Sequence, residues 1–291
     1  MSTPENDPAE LRSVAETLAR EAAGFVRRRR SEVFGTEPGG GDDTAVQTKT
    51  TPTDPVTIVD TETEQLLRDR LAQLRSGDAV LGEESGGPAD PGAAGDGAVT
   101  WVVDPIDGTV NFVYGIPAYA VSVAAQINGG SVAGAVADVQ GGRMYSAATG
   151  LGAQVVDAEG TRALRCSAVT DLSLALVGTG FAYSEQRRTA QAELVSKMLP
   201  TVRDVRRIGS AALDLCMVAA GRLDAYYEHG LKVWDSAAGA LIAAEAGARV
   251  LLPEPGDPDR NAALVVAAAP GIAGQLLGRL AEFNGLAPIA G

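Results

Sequence analysis

Trp101-Val102-Val103-Asp104-Pro105-Ile106-Asp107-Gly108-Thr109 is the stretch from which the rest of the chain can be ordered. The apolar run from Val99 to Val103 is the length of a strand and carries β-branched and aromatic side chains, as a buried strand does. It delivers Asp104 at its end, and Pro105 then bends the chain into a turn. Two carboxylates three residues apart, with the Ile106 carbonyl between them, make an all-oxygen donor set of the kind hard cations such as Mg²⁺ prefer. Gly108 lets the backbone approach a ligand closely. Thr109 adds a hydroxyl, and the amides beyond it can face an anion at a turn or helix start. A bare Asp-Pro-x-Asp is no more than an Asx turn closing a strand; the attached Gly-Thr makes the signal specific.

Upstream, Leu11, Val14, Ala15, Leu18, Ala19, Ala22 and Val26 repeat at helical spacing and predict a first helix. It is expected to end at Arg27 to Arg30, where cations suit the negative end of the helix dipole and the side chains face solvent. Gly35 to Ala45 predicts a loop. Asp60 opens a second helix as an N-cap, with Glu62 and Glu64 in its first turn and Leu67, Leu71 and Leu74 as its stripe. A short strand, Ala79 to Leu81, leads into Gly82-Glu83-Glu84-Ser85, and Gly86 to Gly97 is a second loop.

Downstream, strands are expected at Ala118 to Gln126, Val132 to Val139, Arg143 to Ala147, Ala153 to Val156 and Ala163 to Cys166. The second half begins with a strand near Leu174 to Gly178. A helix near Glu185 to Leu199, a strand near Val202 to Arg206 and a helix near Ala211 to Gly221 follow. A strand from Asp224 to Glu228 comes next. Asp235 then caps a small-residue helix through Ala246, and two strands and a final helix complete the chain. Strands mixed with helices, with hairpins in the first half, imply layered α and β elements.

The composition narrows the function. Of 291 residues, 45% are hydrophobic and 21% charged, enough for an ordinary globular core. The net charge of -13 argues against broad nucleic-acid binding, which depends on cationic neutralisation of phosphates. There is no apolar run long enough to span a bilayer and no export signal, so the expected location is the cytoplasm, with Cys166 and Cys216 reduced. A single histidine, His229, is read as a surface residue and leaves neither a His-rich zinc site nor a Ser-His-Asp triad. Cys216 is expected to be a small core hydrophobe and Glu245 a structural residue.

Asp104 to Gly115, "DPIDGTVNFVYG", resembles the metal-binding signature of the inositol monophosphatase family, the magnesium-dependent, lithium-sensitive phosphatases. Trp234 to Ala240, followed by Glu245-Ala246-Gly247, resembles the family's second signature. Gly82 to Ser85 matches its upstream acidic motif, and Asp54 to Asp60, "DPVTIVD", the segment before it. Gly178 to Tyr183, "GTGFAY", is similar to the bacterial SuhB-type branch. These motifs stand in family order across nearly the whole chain.

The resemblance implies a set of roles. Glu83, Asp104, Asp107 and Asp235, with the Ile106 carbonyl, match the metal ligands of a site for two or three Mg²⁺. Thr109 with Asp60 matches the pair that orients the attacking water, Glu83 matches a residue that helps hold and deprotonate it, and Lys49 lies near that network. Asp107, Gly108, Thr109 and Asp235 match phosphate-side contacts. Gly209, Ser210, Ala211 and Glu228 match contacts to the hydroxyls of a phosphorylated polyol.

Four converging carboxylates repel one another by roughly 4 kcal/mol per pair at an effective dielectric of about 20, so such a cluster calls for a cation. The implied fold is an α-β-α-β-α sandwich, with residues 1–165 and 166–291 as two halves of one catalytic unit. The implied function is hydrolysis of inositol-1-phosphate by activated water. Fructose 1,6-bisphosphate, histidinol phosphate and 3′-phosphoadenosine compounds are the alternative substrates. A homodimer is the family expectation. A second class stays open: an RNA-polymerase-associated role of the SuhB type, with Arg203, Arg206 and Arg207 as a local basic surface.

Overall fold

The computed structural model describes residues 6–35, 46–49, 55–87, 97–254 and 256–290. Most of both predicted loops, residues 36–45 and 88–96, lies outside the described residues.

A seven-stranded sheet forms first. In chain order its strands are β3 (Ala79–Gly82), β4 (Val99–Asp107), β5 (Ala120–Ile127), β6 (Gly130–Asp138), β7 (Arg143–Ala148), β8 (Ala153–Asp157) and β9 (Gly160–Ala163), and they lie side by side in that order. Only β3 and β4 are parallel; the rest is an antiparallel meander. A two-stranded ribbon, β1 (Val46–Thr48) with β2 (Pro55–Thr57), precedes it.

The sheet is buried on both faces, so β4 is buried at every position and shows no polar alternation. Trp101 and Val103 point to a core shared with α1 (Pro8–Phe34) and α2 (Ile58–Leu74), while Val102 points to the opposite face. That opposite face is covered by α5 (Ala211–Ala219) and α6 (Val233–Glu245). Beyond them lies a five-stranded sheet in the order β11 (Asp204–Arg206), β10 (Leu176–Thr179), β12 (Ala225–His229), β14 (Leu264–Ala268), β13 (Arg249–Leu251). Its outer face packs on α4 (Glu185–Met198) and α7 (Pro270–Glu282). The chain therefore stacks helix, sheet, helix, sheet, helix, as the resemblance implied; α3 (Thr109–Tyr114) is a short turn of helix at the end of β4.

The middle layer owes its closeness to small side chains. A Cβ on Gly239 of α6 would sit 2.8 Å from the Leu215 side chain of α5, and one on Gly134 of β6 would sit 3.0 Å from Ala238.

Several expectations need correction. The first helix does not end at its arginines but runs on to Phe34. Arg27 Nε donates to the Val139 carbonyl at 3.0 Å, Arg29 forks onto Glu62 at 2.7 and 3.0 Å, and Arg30 Nε donates to the Phe112 carbonyl at 3.0 Å. Three of the four are docking groups, and only Arg28 fits the solvated reading, with its side chain 63% exposed. The last hairpin strand is Gly160–Ala163, not Ala163 to Cys166. β4 does not stop at Asp104; it continues through a register shift to Asp107, because the proline is absorbed in a bulge. His229 is buried, not exposed, with Nε2 3.0 Å from the Gly285 carbonyl. Glu245 is structural, accepting from Gly150 N and Gly152 N at 2.9 and 2.8 Å, and Cys216 is a fully buried core residue.

Candidate active site

The bulge in β4 places Asp104 and Asp107 on one side of the strand end. Asp104 Oδ1 accepts from the Ile106 amide at 3.0 Å. Asp107 is held from the other half of the chain: its Oδ2 accepts from the Ser210 hydroxyl at 2.5 Å and from the Ala212 amide at 2.7 Å. Ser210 is also the N-cap of α5. Asp235 joins them from α6. It is not the N-cap expected from the sequence but the third helical residue, whose Oδ2 reaches back to the Lys232 amide at 2.7 Å. That is the reverse half of a capping box, and it leaves the second oxygen free. Asp60 follows the same rule: Thr57 is the N-cap of α2, and its amide and hydroxyl donate to Asp60 Oδ2 at 2.9 and 2.5 Å.

Asp104, Asp107 and Asp235 each offer an oxygen such that the three lie within 4.8 Å of one another. Burial pushes all three carboxyls upward, Asp107 to about 6 and the other two well above the carboxylate range, and the charge of Glu83 adds to each. No Cys or His belongs to the group. The donor chemistry therefore fits a hard divalent cation, which would relieve both desolvation and mutual repulsion.

Glu83 faces this group without belonging to it, because Lys49 holds it: Lys49 Nζ donates to Glu83 Oε1 at 2.7 Å and Glu84 Oε1 at 2.5 Å. Burial opposes the lysine's charge, but Glu83 and Glu84 outweigh it and raise its pKa. Burial pushes Glu84 up to about 7. The turn itself is fixed by a residue whose part the sequence did not reveal. Buried Glu64 accepts from the Glu84 and Ser85 amides at 2.7 and 2.9 Å and from Arg68 Nε at 2.9 Å. Its signal was an acid on the apolar stripe of α2 with an arginine four residues on.

Thr109 Oγ1 lies 3.0 Å from the Ile106 carbonyl and 3.2 Å from Asp60 Oδ1. Burial pushes Asp60 up to about 6, against the bonds from Thr57. Gly108 has φ +97°, and a Cβ there would meet the Gly209 and Ala118 carbonyls at 2.9 and 3.0 Å. Its freedom serves this close packing as well as any ligand. Asn111, unremarked in the sequence, completes the seam by donating to the Ala118 and Ile208 carbonyls at 2.7 and 2.9 Å.

These groups line a cleft of about 1290 Å³. On its other wall the Tyr226 hydroxyl donates to Glu228 Oε2, and burial pushes Glu228 up to about 7. A Cβ on Gly180 would overlap the Glu228 carboxylate, so glycine there leaves room for this carboxylate where it stands. Gly209, Ser210 and Ala211 line the same wall. Asp214, also not anticipated, is buried there with Oδ1 lacking a hydrogen-bond partner among the described residues. Every candidate residue except Asp60 lines the cleft, and Asp60 touches it through Thr109.

A layered α/β fold with an acidic, all-oxygen cluster in an interlayer cleft defines a class, that of metal-dependent phosphatases. The family model described as "Inositol monophosphatase family" matches residues 7–285, and the chain belongs to that family. It is 71% identical over 289 residues to the inositol-1-monophosphatase of Mycobacterium leprae, covering 99% of each chain. The solved structure of Mycobacterium tuberculosis SuhB superposes with a TM-score of 0.82 at 62% identity, covering 97% of this chain and all of that one. A more distant relative, 36% identical over 78% of this chain and 82% of its own length, is the Nus factor SuhB of Pasteurella multocida.

Proposed function

We propose that the cleft hydrolyses inositol-1-phosphate to inositol and phosphate with the help of Mg²⁺. The observation that carries this is the meeting of Asp104 and Asp107, both buried, with the half-buried Asp235 from the other half of the chain, in a group of three carboxylates within reach of one ion. Asp104, Asp107, Asp235 and the Ile106 carbonyl would hold the metal, with Glu83 adding the oxygen that Lys49 does not hold. Mg²⁺ bound there, two or three ions in the full site, supplies charge for the phosphate and acidifies water.

The remaining work falls to the protein. The Thr109 hydroxyl, fixed between Asp60 and the Ile106 carbonyl, orients the water that attacks phosphorus. Glu83 accepts a proton from it while Lys49 keeps that carboxylate in place. As the water oxygen bonds to phosphorus the P–O ester bond breaks, and the proton taken up by Glu83 is passed through solvent to the leaving oxygen, so that alcohol and phosphate depart with Glu83 again ionised. Glu228 accepts from polyol hydroxyls, and the backbone at Gly209 to Ala211 lies alongside the ring. Phosphate release from purified protein over inositol phosphates, sugar bisphosphates, histidinol phosphate and phosphoadenosine compounds tests the assignment. Turnover that survives exhaustive chelation overturns the metal's part, and Li⁺ is expected to inhibit by competing for one position.

The two halves, 1–165 and 166–291, act as one unit, since Asp107 and Ser210 belong to different halves. A cytoplasmic homodimer is the expected state; Tyr114 and Ile116, 74% and 47% exposed on neighbouring turns, suit a contact between copies. Light scattering of the purified chain tests it. The relative that carries the Nus factor name supports a second reading, association with RNA polymerase. Capture of the polymerase by an Asp104→Asn variant would separate that role from catalysis.

A further inference from the structure

A second concavity lies away from the cleft. A cavity of about 330 Å³ is lined by Arg143, Arg162, Arg165 and Arg222, with Tyr145 among them, and it shares no lining residue with the cleft. The four arginines come from separate places: β7, β9, the segment after β9, and the turn after α5 where Gly221 takes φ +66°. Among the described residues no carboxylate lines the cavity, on a chain whose net charge is -13.

The local ion pairs do not account for this convergence. Arg162 is committed to Asp157, at 2.6 and 3.1 Å, and to Glu159 at 3.0 Å. Arg143 reaches Asp138 only at 3.4 Å. Arg165 and Arg222 are exposed, and neither guanidinium has an ion pair or hydrogen bond among the described residues. Acids answer Arg143 and Arg162, and the charge left over on this cavity is that of Arg165 and Arg222.

We propose that this cavity is an anion site that takes a phosphate group, gripped by Arg165 and Arg222 and completed by Arg143 and Tyr145. Guanidinium forks match phosphate oxygens in charge and in geometry, and two unpaired forks on one cavity can each engage a phosphate bidentately. Burial pushes the Tyr145 hydroxyl up to about 12, so it keeps its proton and can only donate to an anion. The cavity has about ten times the ~30 Å³ that a water molecule occupies in the liquid, room for a phosphate and a group attached to it. The phosphate can therefore be free or part of a larger polyphosphate.

Calorimetry on the full chain, stripped of metal by chelator and held at low ionic strength, tests this with inorganic phosphate and with pyrophosphate as probes. One equivalent of anion is expected to be lost, or weakened at least tenfold, in the double variant Arg165→Gln/Arg222→Gln. Tighter pyrophosphate binding assigns the site to a polyphosphate, and equal binding to free phosphate. Arg206→Gln, at a surface pair with Asp204, is the control and should change nothing. Absence of binding, binding undiminished in the double variant, or an equal loss in the control overturns the proposal; the last would mean general electrostatics. The double variant should turn over inositol-1-phosphate within twofold of wild type, and a tenfold fall would overturn the separation of this cavity from the cleft.

Discussion

The Ser210 hydroxyl lies 2.5 Å from Asp107 Oδ2, joining the N-terminus of α5 to the end of β4 across 103 residues of sequence. This bond and the Ala212 amide fix one oxygen of Asp107 and leave the other to the cleft. Ser210→Ala removes both the clamp and an N-cap. It is expected to lower the unfolding free energy by about 1 kcal/mol, the usual worth of a cap. It should also raise the Mg²⁺ concentration needed for half-maximal activity about tenfold. Unchanged Mg²⁺ dependence would return Ser210 to the role of a simple polyol contact.

Asp107→Asn keeps the shape and removes a charge from the acidic group. Turnover should fall at least a hundredfold, while thermal unfolding in chelator stays at or above the wild-type midpoint because a buried repulsion is gone. A variant with more than a tenth of the wild-type kcat would exclude Asp107 as a metal ligand.

Glu228→Gln separates substrate recognition from metal chemistry. A carboxylate accepting from a neutral hydroxyl is worth about 1.5–3 kcal/mol, so kcat/KM for inositol-1-phosphate should drop roughly ten- to hundredfold. An aryl phosphate without those hydroxyls should lose much less, and Mg²⁺ dependence should hold. Equal losses on both substrates with a shifted Mg²⁺ dependence would place Glu228 in the metal site.

Stability without metal should fall as pH rises. Burial lifts Asp60 and Asp107 from 3.8 to about 6, and Glu84 and Glu228 from 4.5 to about 7. Between the lower and the raised values the folded chain keeps protons that the unfolded chain has lost, so the slope of stability against pH is negative there. In chelator the Tm at pH 8 should lie below that at pH 5, and Mg²⁺ should close the gap from the alkaline side. A higher Tm at pH 8 in chelator would contradict the carboxylate account.

Two glycines in helices should respond in opposite directions. Gly239→Ala forces a Cβ to 2.8 Å from Leu215, an overpacking that typically costs about 1–3 kcal/mol and outweighs a helix-propensity gain of at most about 1. Gly274 of α7 has nothing within 4 Å of that position, so Gly274→Ala should stabilise by about 0.5–1 kcal/mol. Denaturant midpoints of the two variants decide it.

The sequence by itself determined a mixture of α and β elements and most of their positions, though not the ribbon of β1 and β2 or the short α3, and its resemblance to a family named the acidic residues. The elements follow from runs of apolar residues of strand or helix length, and the acidic set from short motifs that resemble those of the family. Where it went astray, the deciding contact was distant in sequence. Arg27 to Arg30 have the composition of a helix end, but carbonyls at Val139 and Phe112 and the Glu62 carboxylate draw three of them into the fold. His229 has a charged neighbour at Glu228 and a glycine at 230, yet the strand buries its ring against the Gly285 carbonyl.

Only the tertiary structure decided how the acids are held and how closely they meet. Glu64 and Asp214 have no motif to mark them, and Asn111 lies in the Asp104 to Gly115 signature without a role that the signature reveals. What gives each its place is a turn, a neighbouring carboxylate or a carbonyl that arrives from another layer. Likewise, motifs single out Asp104, Asp107 and Asp235, but their oxygens come within 4.8 Å of one another only because β4 bulges and α6 packs against it. Coulomb repulsion and desolvation act over a few ångströms in space, and a linear sequence does not carry that distance.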